Sequence, residues 1–353
     1  MKIKFILNDV DIFTHNECII CNSNNLSVLS RVKTNLPNKK NVDFLVTSIC
    51  NNCTHVFRST IPSEKWFISS FNYRYKTQKK YNFIPINDQT EKDRYHRYKE
   101  LSNFLIEYSR SKSFDFDNVL DFGCGTGTGL QAWKDCAVPA LGIEPDESRA
   151  TYGKEIGHNI EIMTWGQYNN QIKQKSLVTC IHSLEHFYEP VKFLKHLNNL
   201  MCDRTLIYIE VPEVKDIVKD WNDALYLAHV SNFSEKSIIT LLELCGYTFI
   251  ERIFPYSDNQ QNKNLCIVAV KGLLKQNKNV TDIKYNSDEL KTLLKNRYSL
   301  KSSDKLKNIN VFFVPEINDL SLCYKDTSEV KFTFQKNYES RSVKIKDDYI
   351  SIH

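Results

Sequence analysis

The sequence predicts an α/β fold built on a parallel sheet, preceded by a small cysteine-containing lobe. Two observations predict the sheet: an apolar run near the middle of the 353 residues ends in a glycine-rich loop, and a second run soon after it ends in an acid. A third observation, the spacing of four cysteines near the N-terminus, predicts the lobe. Because ligands of open parallel sheets bind outside the carboxyl ends of the strands, the loop and the acid mark the expected site.

The glycine loop follows the first predicted strand. Residues 119–122 form a short apolar run typical of a buried strand, and three glycines at alternate positions come next. Since glycine has no Cβ, a bound molecule can lie directly against this backbone. Residues 130–136 then predict a helix, so the loop leads into a helix N-terminus, as in nucleotide-binding βαβ units. The residues predicted to contact a nucleoside cofactor here are Asp121, Phe122, Gly123, Cys124, Gly125 and Gly127.

The second predicted strand supplies an acid for the same site. Residues 140–143 are followed by Glu144 and Pro145 at the carboxyl end, where a carboxylate can accept both hydroxyls of a ribose. Residues 127–132 also fit the dinucleotide pattern G-x-G-x-x-A. That pattern needs its first glycine directly at the turn after the strand, and here it starts too late, so the dinucleotide interpretation is set aside.

Strands and helices continue to alternate downstream. The predicted elements are a strand at 177–180, a helix at 191–202, a strand at 205–211, a helix at 234–245 between Ser234 and Gly246, and an antiparallel hairpin at 247–254 and 265–271. His182, Glu185 and His186 follow the strand at 177–180 and should line the same edge of the sheet.

The ordered motifs resemble the class I S-adenosylmethionine-dependent methyltransferases. The resemblance rests on Asp-x-Gly-x-Gly-x-Gly after one strand, Glu-Pro-Asp after the next, and the segment at 181–190, which is similar to "hxLEHxxxP". It extends over residues 88–272 and implies a Rossmann-like, seven-stranded methyltransferase sheet with helices on both faces. It also implies S-adenosylmethionine as cofactor, with His182 near it. Trp165 either stacks near the adenine or is an ordinary surface or core tryptophan.

Two C-x-x-C pairs, Cys18 with Cys21 and Cys50 with Cys53, are separated by an interval that lets four thiolates meet at one zinc ion. Such a set leaves no open coordination position, so the expected zinc is structural. Two alternatives stay open: two disulfides, which the absence of a secretory signal disfavours, and His55 in place of Cys53.

A cysteine lobe joined to this domain resembles the zinc-knuckle sugar methyltransferases that act on nucleotide-linked deoxysugars. The resemblance implies that Tyr73 and Tyr75 close over the sugar, and that Tyr226 and His229 stand at the family's aromatic and catalytic-base positions.

The match departs from that family in two places. Leu227 and Ala228 replace a histidine and a glutamate that help the family handle a carbon acid, and residues 273–353 lack the family's glycine-rich loop. O- or N-methylation is therefore expected rather than C-methylation.

Methyl transfer to a hydroxyl needs a base as well as close positioning of donor and acceptor. His229 is the first candidate because an imidazole with a pKa of about 6.5 accepts a proton at neutral pH. His182 and His186 are competitors, and Glu185 could orient one of them. Alternatively, His229 only bonds a backbone carbonyl.

Composition limits the possible partners. The net charge of +5 is small and the lysines are dispersed, so a general nucleic-acid surface is not expected. No apolar stretch approaches the roughly 20 residues of a membrane span, and a cytoplasmic enzyme with a small-molecule substrate is expected. The alternatives are an RNA base methyltransferase with a zinc knuckle, and a catalytically silent cofactor-binding module of a larger assembly.

Four parts are predicted along the chain: a zinc-binding lobe at 1–62, a helical connector and substrate lid at 63–112, the methyltransferase core at 113–272, and a C-terminal extension at 273–353. The extension is expected to contain a helix at 287–298 and strands at 308–315, 330–334 and 343–350.

Overall fold

The computed structural model describes residues 12–34, 44–63, 89–214, 229–257 and 264–272, together with the short segments 320–322, 332–336, 339–346 and 349–352. These residues fall into two units. The first unit comprises Met1–Ser70, Val214–Lys236 and Ile283–His353, and the second comprises Phe71–Glu213 and Ser237–Asp282. The four-part division expected from the sequence stays a prediction.

The second unit alternates strands and helices. Its elements are α1 (Gln89–Ser111), β6 (Asn118–Phe122), α2 (Thr128–Lys134), β7 (Ala140–Glu144), α3 (Glu147–Glu155), β8 (Ile160–Ile162), β9 (Ser176–Ile181), α4 (Pro190–Leu200), β10 (Leu206–Pro212), α5 (Glu235–Leu244, which starts in the first unit), β12 (Tyr247–Arg252) and β13 (Asn264–Lys271). Short 3₁₀ turns lie at Trp165–Gln167 and Leu184–His186.

These strands form one seven-stranded sheet in the order β12-β13-β10-β9-β6-β7-β8. The five strands from β10 to β8 are parallel to one another, while β13 is antiparallel to both β10 and β12. The predicted seven-stranded α/β sheet is therefore confirmed, including the closing hairpin. Strand order reverses at β6, with β7 on one side and β9 on the other, so a crevice is expected at their carboxyl ends.

Helix α2 begins at Thr128, two residues before the predicted start, because Gly127 turns the chain directly into it from a left-handed conformation (φ 87°). Helix α5 ends before Gly246, which is also left-handed (φ 83°), as its predicted stop requires. The hairpin of β12 and β13 contains one irregularity in register between Phe249 and Glu251.

The core of the second unit joins helices to the sheet. Leu101 and Leu105 of α1 lie in one buried cluster with Trp133 of α2 and strand residues such as Leu177 and Val268. Burying a side chain of this size contributes about 1.5–3 kcal/mol. Helix α1, which the sequence assigned to a connector, is thus part of the packed unit. Of the helices in the described segments, none combines the length and apolar character needed to cross a bilayer.

The first unit is built on antiparallel strands. Its elements are β1 (Ile12–Thr14), β2 (Leu26–Thr34), β3 (Phe44–Cys50), β4 (Val56–Arg58), β5 (Thr60–Pro62), β11 (Ser231–Asn232), β14 (Leu320–Leu322), β15 (Phe332–Lys336), β16 (Glu339–Lys346) and β17 (Tyr349–Ile352). A five-stranded sheet has the order β11-β4-β3-β2-β14, β1 pairs with β5, and β15, β16 and β17 form a third sheet.

The C-terminal sheet differs in detail from the expectation. The strand predicted at 343–350 is divided between β16 and β17, which pair with each other through Val343 and Ile352 at one end and Lys346 and Tyr349 at the other. The alternating pattern at 343–350 predicted one strand, whereas the chain forms a hairpin there. The predicted helix at 287–298, the strand at 308–315, and the substrate residues Tyr73, Tyr75 and Tyr226 lie outside the described residues.

Candidate functional site

The glycine loop after β6 has the backbone that the sequence predicts. Gly123, Gly125 and Gly127 have φ angles of +83°, +59° and +87°, a region that side chains with a Cβ rarely adopt. Space is limited as well, because a Cβ at Gly123 would lie 2.1 Å from Ser183 Oγ and one at Gly127 would lie 2.6 Å from His158. Both the conformation and the close contacts therefore require glycine at these two positions.

The Glu144 side chain connects this loop to the end of β7 by hydrogen bonds. One carboxylate oxygen accepts a hydrogen bond from the Gly125 N–H at 2.8 Å, and the other accepts one from the Asp146 N–H at 2.8 Å. Asp146 in turn accepts from the N–H groups of Ser148 and Arg149 at the start of α3. Burial raises the pKa of Glu144 to about 7, although the two backbone N–H donors act to lower it.

Asp121 on β6 is a second buried carboxylate at this edge. Its Oδ1 accepts a hydrogen bond from the Thr179 hydroxyl of β9 at 2.7 Å. Burial raises the pKa of Asp121 to about 6 against the lowering effect of that hydroxyl. Within the described part of the chain, neither Asp121 nor Glu144 forms a salt bridge with a lysine or arginine. The arrangement therefore suits a ligand that brings hydroxyl donors and positive charge.

The other predicted cofactor residues lie close to Asp121 and Glu144 in the sequence. Phe122 is buried with its ring edge-on to Tyr168, Cys124 lies where a Cβ on Gly142 would meet its sulfur at 2.3 Å, and Pro145 is exposed. Their contact with a cofactor stays a prediction.

Trp165 begins the 3₁₀ turn after β8 and is partly exposed. Its ring packs edge-on against Phe193 at 5.7 Å and tilted against His196 at 5.8 Å. The structure thus gives Trp165 packing partners within the second unit, and its place beside an adenine stays a prediction.

His182 immediately follows β9 and lies between two carboxylates. Its Nδ1 is 3.6 Å from Glu185 Oε1, and its Nε2 is 3.3 Å from Glu210 Oε1. Burial lowers the pKa of His182, but hydrogen bonding to Glu185 and Glu210 outweighs it and raises the pKa to about 9. His182 is consequently an imidazolium at neutral pH, which is suited to donate hydrogen bonds rather than accept a proton. Nearby His186 has its Nε2 4.0 Å from Glu185 Oε1.

Glu210, near the end of β10, was not predicted from the sequence. It is fully buried, and its carboxylate accepts hydrogen bonds from four neighbours: Arg97, Tyr208, Tyr256 and Asn264. Burial alone would raise the pKa of Glu210, but the positive charges of Arg97 and His182 lower it well below its usual range. A lone acid in the apolar run at 206–212 was the available signal, because a buried charge requires a partner.

The four predicted metal ligands lie together in the first unit. Cys18 Sγ is 3.5 Å from Cys53 Sγ, Cys21 Sγ is 3.6 Å from Cys50 Sγ, and all four sulfurs lie within 4.8 Å of one another. A tetrahedral zinc with Zn–S distances of about 2.3 Å places its sulfurs about 3.8 Å apart. A disulfide would need about 2.05 Å, and all four cysteines are free. The donor set therefore fits a closed tetrahedral metal site.

His55, the alternative to Cys53, is not among the clustered ligands. Its fully buried ring is stacked on Phe57 at 5.6 Å and tilted against Phe233 at 5.0 Å. His229 also belongs to the first unit and is buried, with 8% of its surface exposed. Its catalytic role stays a prediction.

Comparison with known proteins bears on the second unit. Residues 90–252 match the family model described as "Methyltransferase domain". No curated protein sequence matches the chain.

Several solved structures are similar in part. The plantazolicin methyltransferase BpumL in complex with SAH is 15% identical, with 59% of this chain and 99% of that chain covered and a TM-score of 0.42. An S-adenosylmethionine-dependent methyltransferase from Clostridium acetobutylicum ATCC 824 is 12% identical, with 58% and 99% covered and a TM-score of 0.41. Magnesium protoporphyrin IX methyltransferase from Synechocystis PCC 6803 with bound SAM is 13% identical, with 60% and 92% covered and a TM-score of 0.38. Similarity at this level decides nothing about the acceptor.

Proposed function

We propose that the chain is an S-adenosylmethionine-dependent methyltransferase, as the match of residues 90–252 to a methyltransferase family model supports, and that its acceptor is a sugar or related glycan-pathway metabolite, methylated on oxygen or nitrogen rather than carbon. The observation that carries the donor half is the crevice edge formed by the glycine loop, Asp121 and Glu144. The acceptor class is supported by the combination of a four-cysteine lobe with the Tyr226–His229 segment of the sequence.

In this proposal the bound cofactor supplies a methyl group on a sulfonium, and the chain supplies positioning. Glu144 would accept the ribose hydroxyls, and its carboxylate already accepts the Gly125 N–H. The glycine loop would hold the methionine moiety against its backbone, because no Cβ intervenes. The negative charge of Asp121 and Glu144 balances the positive charge of the ligand. Most of the acceleration in such a displacement can come from holding the two reactants in line.

Removal of the acceptor proton is assigned to His229. His182 is a weaker candidate because its raised pKa of about 9 leaves it protonated at neutral pH. His186 remains the second candidate, with Glu185 close enough to orient its ring.

The four-cysteine cluster is assigned to a structural zinc ion. Four thiolates complete a tetrahedral set and leave no position for a substrate or water. Such a site requires reduced thiols, and a cytoplasmic location is part of the proposal.

A labelling screen tests the acceptor class. Purified protein is incubated with methyl-labelled S-adenosylmethionine and, separately, nucleotide sugars, polysaccharide precursors and total RNA. We expect label in at least one nucleotide-sugar or precursor pool and none in RNA, with Asp121→Ala as the inactive control. Labelling of RNA alone would replace the proposed acceptor by an RNA base. Labelling at background level in every pool, by wild type as well as by Asp121→Ala, would instead favour a silent cofactor-binding module.

A further inference from the structure

The segment that carries His229 is part of the four-cysteine sheet, although it lies far from the cysteines in sequence. Strand β11 pairs with β4, with Ser231 opposite Phe57 and Asn232 opposite Val56. The Arg58 N–H also donates to the Val230 carbonyl at 3.0 Å. Since β4 starts shortly after Cys53, the second cysteine pair leads directly into the strand that holds the 229–234 segment.

Side chains next to Cys53 contact the far end of the same segment. Thr54 Oγ1 lies 2.6 Å from Ser234 Oγ, and both residues are buried. The ring of His55 packs between Phe57 and Phe233. Thr54 and His55, which follow Cys53, therefore contact the C-terminal end of the 229–234 segment and fix its position.

The chain has a strained backbone at Thr54, directly after the turn from Cys50 to Cys53. The Thr54 N–H donates to the Cys50 carbonyl at 2.9 Å, and the Cys50 N–H donates to the His55 carbonyl at 2.8 Å. Thr54 has a φ of +60°, an unfavourable conformation for a β-branched residue. Such strain persists only where the surroundings over-determine it, and four thiolates held by one Zn²⁺ ion would provide that constraint.

We propose that occupancy of the four-cysteine site by Zn²⁺ sets the position of the 229–234 segment, so that the metal controls the residue assigned as general base. Thr54 is the positioning residue that links the cluster to Ser234. Both the zinc ion and the role of His229 rest on the proposed function, whereas the exchange test of the coupling does not depend on the acceptor class.

Hydrogen exchange on the full chain tests the coupling without any activity measurement. Zn²⁺-loaded protein is compared with protein stripped by 1,10-phenanthroline, with zinc content measured in both. We expect exchange of the amides at 230–234 and 56–58 to accelerate at least tenfold, while the amides of β9 and β10 in the second unit keep their protection. Affinity for S-adenosylmethionine should change by less than twofold. Unchanged protection at 230–234 in zinc-free protein would overturn the coupling even if methyl transfer to sugars is established.

Substitution of Thr54 tests the link with the metal in place. Thr54→Val removes the hydroxyl but keeps the branched shape, and Thr54→Ser is the matched control that keeps the hydroxyl. We expect kcat to fall about tenfold in Thr54→Val with the KM for S-adenosylmethionine unchanged, and Thr54→Ser to recover most of the loss. Equal kcat in wild type and Thr54→Val, at full zinc content, would remove Thr54 from this role. If Thr54→Val loses zinc, the exchange comparison on the wild-type chain still decides the coupling.

Discussion

Two buried glutamates of the same sheet have opposite environments. Glu144, at the end of β7, is held by two backbone N–H groups, and burial raises its pKa to about 7. Burial acts in the same direction on Glu210 of β10, but Arg97 and His182 oppose it, so that the pKa of Glu210 lies well below its usual range. Within the described residues, Glu210 has its own counter-charges in Arg97 and His182, whereas Glu144 forms no salt bridge with a lysine or arginine.

We expect this difference in environment to distinguish a structural cluster from a ligand-binding site. A buried carboxylate without a cation is costly to the folded protein unless a ligand later provides the missing charge or hydrogen bonds. We therefore expect a cationic, hydroxyl-bearing ligand to bind at Glu144 and Asp121, whereas the Glu210 carboxylate already has charged and hydrogen-bonding partners within the protein. Substitutions in the two regions should accordingly affect different quantities.

The largest effect is expected from Arg97→Met, which leaves the fully buried Glu210 without its guanidinium partner. Removing one partner of a buried ion pair costs about 3–5 kcal/mol because the remaining charge stays buried. The free energy of unfolding of the second unit should fall by that amount in urea titrations followed by hydrogen exchange of β9 and β10.

Arg94→Met is the matched control for Arg97→Met. Arg94 is on the same helix, is 48% exposed, and forms a salt bridge with Glu91 one turn away. An exposed pair of this kind contributes less than about 1 kcal/mol. An equal loss of unfolding free energy in the two variants would show that Arg97 does not compensate the buried charge of Glu210.

The second effect is expected on cofactor affinity. Glu144→Gln removes the charge and one acceptor oxygen from the crevice, and hydrogen bonds to charged groups contribute about 1.5–3 kcal/mol each. Affinity for S-adenosylmethionine, measured by calorimetry, should fall by roughly 10- to 100-fold. Glu147→Gln, three residues along and exposed at the start of α3, should bind as wild type does. If Glu144→Gln bound S-adenosylmethionine as tightly as the wild type, the proposed role of Glu144 in cofactor binding would be wrong.

The sequence could reveal the Glu144 region but not the partners of Glu210. The glycine loop and the acid belong to consecutive strands, so their short spacing places both at one edge of a parallel sheet. Arg97 and Asn264 are 113 and 54 residues from Glu210, and nothing in the pattern of one acid in an apolar strand identifies them.

A similar contrast holds in the first unit. The four cysteines could be grouped from their C-x-x-C spacing because a tetrahedral ligand set has a narrow range of geometries. The pairing of β11 with β4 joins segments that a whole folded unit separates, as the 180 residues between Thr54 and Ser234 illustrate. A two-residue strand has no periodic pattern that a sequence could reveal.

The third effect concerns the protonation of His182. Glu210→Gln removes one of the two carboxylates that stabilise the imidazolium, so the pKa of His182 should fall from about 9 toward its ordinary value. The raised pKa stabilises the fold below the unfolded value of about 6.5, and this contribution is lost as the pH rises toward 9. NMR titration of the His182 ring measures the change directly. An unaltered pKa in Glu210→Gln would mean that Glu185 alone stabilises the imidazolium.

The smallest effect is the pH dependence of cofactor binding, which isolates the titration of Glu144. With the pKa of Glu144 raised to about 7 by burial, the ligand-free crevice carries a protonated Glu144 below that pH and a carboxylate above it. Only the carboxylate matches a cationic ligand, so affinity should rise by about tenfold between pH 6 and pH 8. In Glu144→Gln this increase should disappear, while any titration of the ligand itself is common to both proteins. Asp121, with a pKa of about 6, titrates in both proteins as well and cancels in the comparison. The same rise in affinity in both proteins would assign the titration to another group. The role of Glu144 would then be limited to its hydrogen bond with the glycine loop.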